Sequence, residues 1–169
     1  MKKNYEPVRK LCPADSVDGF DCGQTELNEF LQRHALINQK ANSSQTYVCC
    51  SSDAVVGYYS LVVGSVVHEA VPHRVLKGLA RYPVPVMILA RLAVDIGHQG
   101  KGLGQALLKD ALLRTAQAAE IAGIRALFVH AKGESARQWY ASWDFEPSPT
   151  DPLHLFLLLK DLKKILSIS

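Results

Sequence analysis

The sequence predicts an α/β fold in which helices cover both faces of a mixed central sheet. Three observations lead to this prediction. The segment 84–94 is almost continuously apolar and is interrupted only by Arg91, which is typical of a strand buried on both faces. A loop with four glycines and a helix-forming run at 105–114 follow it directly. A second apolar run at 126–131 then predicts another buried strand.

Length and composition predict one domain, residues 1–169, with a substantial core. Apolar residues make up 48% of the sequence, and a chain of this length usually forms a single domain. The N-terminal segment 1–7 lacks the apolar stretch of a signal peptide. The longest apolar run, 84–90, is too short to span a bilayer. We therefore expect no membrane association.

The cysteines indicate the cellular compartment, whereas the net charge does not decide whether the chain binds RNA. Cys12, Cys22 and the adjacent Cys49 and Cys50 show neither the spacing of a metal site nor that of a secreted disulfide framework. Reduced thiols in the cytoplasm are expected. A net charge of +3 permits an RNA partner without demonstrating one.

The N-terminal half predicts helices followed by a hairpin. Within residues 20–41, apolar side chains follow the i, i+3, i+4 spacing of a helix face, and two helical pieces are expected. β-branched and aromatic runs at 46–50 and 54–63 flank a short turn and predict an antiparallel pair of strands. Residues 68–83 are predicted to be an irregular, solvated loop.

The C-terminal half predicts a helix, a strand, a shorter helix and a closing hairpin. The helix after the glycine loop is expected to end at Gly123. Residues 135–142 are expected to form the shorter helix, and Phe145 with 153–159 the hairpin. A short basic tail is expected to end the chain, with Lys160, Lys163 and Lys164.

The loop after the central strand carries Gly97, Gly100, Gly102 and Gly104. Glycine accepts positive φ and has no Cβ, so this loop can turn tightly and bring its amides close to a ligand. Those amides lie at a helix N-terminus, which favours phosphate. The spacing matches neither the dinucleotide-binding fingerprint nor the P-loop. On the glycines alone, a pyrophosphate cradle and a simple strand-to-helix turn both remain possible.

Two motifs resemble those of the GNAT acetyltransferases. The family's acetyl-CoA signature, Arg/Gln-x-x-Gly-x-Gly/Ala, is similar to Gln99-x-x-Gly102-x-Gly104. The family's second pattern, Ala-x-x-Phe/Trp-Tyr-x-x-x-Gly-Phe, is similar to Ala136-Arg-Gln-Trp-Tyr-Ala-Ser-Trp-Asp-Phe145, with Tyr140 in the tyrosine position. Because both motifs occur in the right order, the chain is identified as a member of this family over residues 8–160.

The resemblance implies a GNAT fold, whose mixed sheet is splayed between its two central strands. It also implies acetyl-CoA as cosubstrate and no metal. The pantetheine arm is expected between the splayed strands, paired with the backbone of the first one, and the pyrophosphate on the glycine loop. The implied cofactor-binding residues are Leu92, Ala93, Val94, Gln99, Gly100, Lys101, Gly102, Leu103, Gly104 and Gln105.

Two residues depart from the family pattern. Gly133 stands where many relatives have an asparagine that contacts the cofactor, and Asp144 replaces the usual glycine of the second motif. The first change is expected to remove one polar contact to CoA. The second leaves the conformation of the turn after the last motif helix open.

Further stretches resemble the GNAT toxins of bacterial toxin–antitoxin modules. They are Phe20-Asp-Cys-Gly-x-x-x-Leu-Asn-Glu-Phe-Leu31, Gly57-Tyr-Tyr-Ser-Leu61 and Leu89-Ala-Arg-Leu-Ala-Val-Asp95. This resemblance implies transfer of acetyl to the α-amine of aminoacyl groups on charged tRNA, which blocks translation. It also implies a ribbon-helix-helix antitoxin and a homodimer.

The chemistry requires a neutral amine and an acid for the departing thiolate. An aminoacyl-ester amine has a pKa of about 8 or below, so much of it is neutral without a strong base. Tyr140 is the predicted acid, and a purely structural buried aromatic is the alternative. His98, His130 and His154 show no metal or triad spacing and are assigned to packing or to the surface.

The predicted nucleic-acid contacts are basic residues in and after the irregular segment, Arg74, Lys77, Arg81 and Arg91. Arg91 interrupts an apolar strand, so it is expected to be paired or to face a wet cleft. Two alternative functions remain: acetylation of a small amine or a protein N-terminus, and a non-catalytic acetyl-CoA-binding module. Transfer that does not depend on tRNA would favour the former, and binding without turnover the latter.

Overall fold

The computed structural model describes residues 4–168 of the chain. Residues 1–3, at the start of the N-terminal segment, and residue 169 lie outside this described part. The predicted domain, residues 1–169, includes them. The strands are β1 (Arg9–Lys10), β2 (Gln45–Ser51), β3 (Ala54–Val66), β4 (Val84–Val94), β5 (Ala126–His130), β6 (Glu146–Pro147) and β7 (His154–Leu158). The helices are α1 (Thr25–Glu29), α2 (Ala35–Lys40), α3 (His73–Leu76), α4 (Leu103–Ala119), α5 (Glu134–Ala141) and α6 (Leu159–Ile168).

The strands follow the order β1-β2-β3-β4-β5-β7-β6 in a mixed sheet. β4 and β5 are parallel, and α4 lies between them in the chain as parallel strands require. The pairs β1–β2, β2–β3, β5–β7 and β6–β7 are antiparallel. The mixed α/β class predicted from the sequence is therefore confirmed. In the described part of the chain, no helix has the length and apolar character needed to cross a membrane.

The chain divides into two compact units, and two strands contribute to both. Unit 1 comprises the described residues up to Val62 together with Ala90–Ala111. Unit 2 comprises Val63–Leu89 and the described residues from Leu112 onward. Unit 1 therefore holds the glycine loop and the start of α4, and unit 2 holds α5.

The predicted hairpin is confirmed in unit 1. β2 and β3 pair from Gln45–Leu61 to Ser51–Ala54, with a register shift between Cys49 and Cys50. Ser52 and Asp53 form the turn with φ of 50° and 66°. Positive φ at both central residues is what a two-residue type I′ turn requires, and its twist suits the flanking strands.

Tyr58 lies at the centre of the core of unit 1. Its side chain is fully buried, and its ring centroid lies 5.6 Å from that of Phe20 and 6.2 Å from that of Phe30. The hydroxyl donates to the carbonyl of Leu27 at 2.7 Å. This hydrogen bond satisfies a buried phenol and ties β3 to α1.

The two predicted helical pieces within 20–41 are α1 and α2, joined by a π-helical turn at Phe30–His34. Such turns are rare and occur mostly as local interruptions of α-helices. Phe30 and Leu31 are both buried here. Both lie at i+3 and i+4 from Leu27, on the predicted apolar face, whereas the π-helical turn itself was not predicted.

The core of unit 2 shows that the prediction of an irregular segment at 68–83 was wrong in part. This segment contains a 3-10 turn, His68–Ala70, and the short helix α3. Pro72 precedes α3, and proline is tolerated at a helix start although it breaks helix interiors. Val75 of α3 is fully buried, in a cluster completed by Val71, Val84, Val86, Ala126, Phe156 and Leu158.

Two boundaries in unit 2 also differ from the predictions. α4 ends at Ala119 rather than at Gly123, because the amides of Glu120 and Ile121 turn back to the carbonyls of Gln117 and Ala118. The predicted basic tail is the helix α6, on which Leu162 is fully buried. An amphipathic sequence can form a helix when one face is buried, even where its lysines indicate a solvated tail.

Near the N-terminus, Arg9 and Asp15 form a bidentate ion pair. The two guanidinium nitrogens donate to the two carboxylate oxygens at 2.9 Å and 2.8 Å. The amide of Cys12 donates to the same carboxylate at 2.7 Å, and the Asp15 side chain is only 9% exposed. The hydrogen bond from Arg9 lowers the pKa of Asp15, against the opposing effect of burial.

We predict that Asp15→Asn lowers the free energy of unfolding at pH 7 by about 1.5–3 kcal/mol, the usual worth of hydrogen bonds to a charged group. Because the pKa of Asp15 is lower in the folded chain than its unfolded value of about 3.9, its stabilising contribution is complete above the unfolded pKa. It is lost as the pH falls through the folded pKa. Urea unfolding at pH 7 and pH 3 measures both effects.

The exposed Asp18 provides the control, since Asp18→Asn removes a carboxylate from the same segment. Its stability and pH dependence should match those of the wild type. Equal losses between pH 7 and pH 3 in the wild type and in Asp15→Asn would contradict this account of the pair.

Candidate functional site

The glycine loop is anchored at its start by Asp95, the first residue after β4. The Asp95 carboxylate accepts hydrogen bonds from the amide of Gly97 at 2.9 Å and from that of Asp21 at 3.0 Å. The Asp95 amide donates to the carbonyl of Val56, and the amide of Ile96 donates to the carbonyl of Asp21, both at 2.8 Å. The end of β4 and the 3-10 turn Ile96–His98 are therefore held to two other parts of unit 1.

Gln99, predicted to bind the cofactor, uses its side chain within the loop. Its amide nitrogen donates to the carbonyl of Val94 at 2.9 Å and to that of Cys22 at 3.4 Å. These bonds hold the loop against the end of β4. The Gln99 side chain therefore holds the loop in its conformation, and the carbonyl of Val94 accepts one hydrogen bond from it.

Two glycines give the loop its turn. Gly100 and Gly102 have φ of 75° and 83°, values that L side chains rarely adopt. No atom lies within 4 Å of a Cβ built at either position. The space beside both residues is therefore open, and a ligand can approach the backbone there. Gly104 lies in the first turn of α4 and is half-buried.

The N-terminus of α4 faces the end of this loop. The carbonyl of Gly102 accepts the first helical hydrogen bond, from the amide of Ala106 at 3.1 Å. The first amides of a helix have no intrahelical acceptor, and the helix dipole adds partial positive charge there. Leu103, Gly104 and Gln105, three of the predicted cofactor-binding residues, are the first residues of α4 and supply these amides. The arrangement suits a phosphate group.

Gly57 of β3 sets the position of α4 in unit 1. A Cβ built on Gly57 would lie 3.0 Å from Leu107 Cδ1 and 3.4 Å from Leu103 Cδ2. Both leucines are buried. A side chain at position 57 would therefore push the helix away from the sheet, and its absence lets the helix start pack tightly against β3.

The predicted pantetheine-binding residues lie in the last part of β4. Ala93 is buried, and Leu92 and Val94 are half-buried. The parallel pairing of β4 with β5 is registered at Val86–Ala126, Met87–Leu127 and Ile88–Phe128. Leu92, Ala93 and Val94 come after the last of these pairs.

Tyr140 lies on α5 in unit 2 and is only 8% exposed. Its ring centroid lies 5.0 Å from that of Trp139 and 5.3 Å from that of Phe145. Burial raises the pKa of the phenol, so it stays protonated at neutral pH. Tyr58 and Tyr59 are also buried, but they donate to the carbonyl of Leu27 and the carboxylate of Asp110. Among residues 4–168, the Tyr140 hydroxyl has no such acceptor.

The backbone conformations of Asp144 and Gly133, the two departures from the family pattern, suit the residues found there. Asp144 adopts φ of 71°, in the left-handed region that favours glycine. Aspartate is one of the few other residues that visit this region, so the replacement keeps the turn after α5. Gly133 has φ of 177°, an extended conformation open to any residue. Its backbone therefore does not require glycine.

Two of the predicted basic residues line one cavity in unit 2. Arg74 and Lys77 line a cavity of about 600 Å³ together with His68, Glu69, Val71, His73, Leu76 and Pro149. Arg81 reaches the same Glu69, at 3.3 Å. Lys77 is exposed and forms no ion pair within the described chain.

Arg74 already has two carboxylate partners. It donates to Glu146 at 2.9 Å and forms a bidentate pair with Asp161, whose second contact is 2.8 Å. The hydrogen bond from Arg74 is the main cause of the lowered pKa of Asp161. The sequence did not reveal these partners, because they lie on β6 and α6, far along the chain. The charge of Arg74 is therefore largely balanced.

Arg91, the fourth predicted basic residue, belongs to unit 1. Its Cζ atom lies 3.5 Å from the centroid of the Phe30 ring, a cation–π contact. One guanidinium nitrogen donates to the Ser60 hydroxyl at 3.4 Å. Burial lowers the pKa of the guanidinium. The sequence predicted that Arg91 is paired or faces a wet cleft; in the structure its guanidinium contacts the Phe30 ring and the Ser60 hydroxyl.

No group of three or more His, Cys, Asp or Glu side chains in the described chain could hold a metal ion. All four cysteines are free thiols, and Cys49 and Cys50 are buried. Burial raises the pKa of Cys50 to about 11. Neither observation adds a further reactive group to the site.

Comparisons with known proteins converge on one family. A family model described as an acetyltransferase (GNAT) domain matches residues 42–147. A tRNA-acetylating toxin of Mycobacterium tuberculosis is 46% identical over 162 residues, which are 96% of this chain and 97% of the relative. Both the glycine loop and Tyr140 fall within the matched residues.

Two solved structures extend the similarity. AtaT complexed with acetyl-methionyl-tRNAfMet is 28% identical, with a TM-score of 0.88 over 96% of this chain and 99% of that one. A tyrosine-to-phenylalanine mutant of AtaT bound to the C-terminus of the antitoxin AtaR and to acetyl-CoA is also 28% identical. Its TM-score is 0.81, over 96% of this chain and 98% of that one.

Proposed function

Because this chain belongs to the GNAT family of acetyltransferases, we propose that it is a toxin that acetylates charged tRNA. It transfers the acetyl group of acetyl-CoA to the α-amine of the aminoacyl group. The observation that carries this proposal is the 46% identity to a tRNA-acetylating toxin along nearly the whole of both chains. An acetylated α-amine no longer attacks a peptidyl ester, so the modified tRNA is lost to translation.

We assign acetyl-CoA to the end of β4 and the start of α4. The open space beside Gly100 and Gly102, and the amides of the first turn of α4, support a pyrophosphate there. Lys101 is exposed between the two glycines and adds positive charge. The pantetheine arm is assigned to the backbone of β4 at 92–94. Gln99 contributes by holding the loop.

Tyr140 is assigned as the proton donor. The amine of an aminoacyl ester has a pKa of about 8 or below, so a neutral, nucleophilic fraction exists without a strong base. As the amine nitrogen bonds to the acetyl carbon, the carbon–sulfur bond breaks and the sulfur needs a proton. A buried phenol with a raised pKa is protonated and can supply it. The proton released by the amine goes to solvent, and the Tyr140 phenolate regains a proton from solvent.

We assign binding of the acceptor, charged tRNA, to the basic cavity of unit 2. tRNA presents a continuous phosphate track, which exposed lysine and arginine side chains bind. Lys77 is the strongest contributor, because Arg74 is balanced by Glu146 and Asp161 and Arg81 pairs with Glu69. Arg91, which lies on β4, is kept as a further contact to the tRNA.

Partners and compartment follow from this reaction. We propose a cytoplasmic protein, because charged tRNA is found there. We also propose inhibition by an antitoxin of the ribbon-helix-helix type and assembly as a homodimer. The AtaT complex with the C-terminus of its antitoxin supports an antitoxin partner. The family match at 42–147 includes residues of both units, which supports one catalytic domain spanning 1–169.

Transfer of labelled acetyl groups tests the function. The purified protein is incubated with labelled acetyl-CoA and one of three acceptors: charged tRNA, deacylated tRNA or free amino acids. Label should appear only on the charged tRNA. Equal labelling of free amino acids would favour a small-amine acetyltransferase, and binding of acetyl-CoA without any transfer would favour a non-catalytic module.

We predict that Gly102→Ala weakens acetyl-CoA binding at least tenfold, or about 1.4 kcal/mol. The added methyl group enters the open space assigned to the pyrophosphate, and φ of 83° strains any L residue. Gly78 has the same φ and the same open surroundings, but lies in unit 2. Gly78→Ala should therefore lose similar stability and keep its affinity. Calorimetric titration that gives equal affinities for both folded variants would remove the pyrophosphate from this loop.

Tyr140→Phe should lower kcat by roughly 10²–10⁴, because it keeps the ring and removes the proton donor. The Kd for acetyl-CoA should hardly change. Tyr58→Phe is the matched control, since it also removes a buried hydroxyl and should cost about 0.5–1.5 kcal/mol of stability without lowering kcat. If Tyr140→Phe turned over at the wild-type rate, Tyr140 would be a structural residue only.

Lys77→Ala should raise the KM for charged tRNA and reduce the dependence of log KM on log salt by about one. The reason is the loss of one phosphate contact and its released counterion. Arg74 is unsuitable for this test, because its substitution also breaks the ion pairs with Glu146 and Asp161. Lys109→Ala removes an exposed lysine of α4 as the control. An unchanged salt slope in Lys77→Ala would exclude Lys77 from the tRNA surface.

A further inference from the structure

Four ring side chains form a continuous row on one face of β5 and β7. Phe128 pairs with Phe156 and His130 with His154, and directly opposed residues of antiparallel strands project from the same face. The ring centroids are 5.1 Å apart for Phe128–Phe156, 5.3 Å for Phe128–His154 and 4.5 Å for His130–His154. We refer to these four residues as the aromatic row. All of them belong to unit 2.

The aromatic row runs from the core to the surface. Phe156 is fully buried, Phe128 is half-buried, the His154 side chain is 34% exposed, and His130 is exposed. Its inner end is therefore fixed by packing, and its outer end is available to a ligand. The sequence assigned His130 and His154 separately to packing or the surface. The strand register brings them together.

His154 is held in place by its own neighbours. Its Nε2 lies 3.6 Å from the Asp151 carboxylate, and its amide donates to the Asp151 carbonyl at 3.2 Å. Its carbonyl accepts from the amide of Ser148 at 2.7 Å. The ring of His130 packs on this fixed ring and forms no hydrogen bond within the described chain. The His130 ring is therefore held by packing on His154, and its exposed side is available to a ligand.

The position of His130 in the fold points to the reaction. It is the last residue of β5, which runs parallel to β4. In open α/β sheets, ligands bind beyond the carboxyl ends of the parallel strands. The next element in the chain is α5, which carries Tyr140. The exposed end of the aromatic row therefore lies at the edge of the sheet where an acceptor is expected.

We propose that His130, supported by His154 and Phe128, stacks on the terminal adenine of the charged tRNA and so positions its aminoacyl group. This inference rests on the proposed function. The acceptor end of tRNA is single-stranded, and proteins bind unstacked bases by stacking them on aromatic side chains, including histidine. The aminoacyl group is esterified to the ribose of that same adenosine. Holding the adenine therefore restricts where the amine can lie.

Steady-state kinetics test the stacking role of His130. His130→Ala should raise the KM for charged tRNA roughly 5- to 150-fold, the range for losing one base–aromatic stack. Its Kd for acetyl-CoA should remain unchanged. His130→Phe keeps a flat ring without nitrogens and should retain a KM near that of the wild type. His34→Ala, which removes an exposed histidine of unit 1, should match the wild type.

A fluorescence experiment tests the contact without turnover. tRNA ending in 2-aminopurine in place of adenine is titrated with the wild type, His130→Phe and His130→Ala. Stacking quenches 2-aminopurine, so the first two should quench it and His130→Ala should not.

Two outcomes overturn the stacking role: an unchanged KM in His130→Ala, or a His130→Phe variant as impaired as His130→Ala. The second outcome would assign the role to the ring nitrogens instead. Either result, with normal transfer by the wild type, leaves the proposed function intact. A wild type that does not acetylate charged tRNA would overturn that function together with this inference.

Discussion

The candidate phosphate site depends on one carboxylate, that of Asp95. It accepts hydrogen bonds from Gly97 in the loop and from Asp21 in the segment before α1, and Gln99 holds the same loop to the carbonyl of Val94. Amides attract a phosphate most effectively when they are already oriented, since no further ordering is then needed on binding. Gly100 and Gly102, which lie between Gln99 and the start of α4, can therefore have positive φ and open surroundings and still keep one conformation.

The buried tyrosines show how the same residue type serves structure in one place and chemistry in another. The hydroxyl of Tyr58 is committed to a backbone carbonyl and that of Tyr59 to Asp110. Tyr140 is held by its ring alone, between Trp139 and Phe145. Its hydroxyl has no acceptor in the described chain. It can therefore donate to a transient acceptor such as a departing thiolate.

The sequence predicted what depends on neighbouring residues and missed what depends on distant ones. The hairpin turn at Ser52 and Asp53 and the strand–glycine loop–helix sequence are local, and both were predicted. α6 was missed because tertiary burial of Leu162 decides it. The π-helical turn was missed because hydrophobic periodicity predicts which residues are buried but not the local backbone hydrogen-bond pattern. For the site, motif spacing predicted the loop and Tyr140. It gave no sign of the partners of Arg74 or of the pairing of His130 with His154, which strand register and α6 bring together.

The balance of charges in unit 2 limits how tRNA can be recognised there. A count of basic residues predicts a broad phosphate-binding surface, but Arg74 and Arg81 are paired with carboxylates and Lys77 is left as the exposed, unpaired cation of that set. Each phosphate contact adds affinity that any RNA can share. Phosphate contacts along the tRNA body therefore contribute little discrimination. Recognition then depends on the acceptor end, where a ring such as that of His130 contacts a single unpaired base beside the amine that reacts.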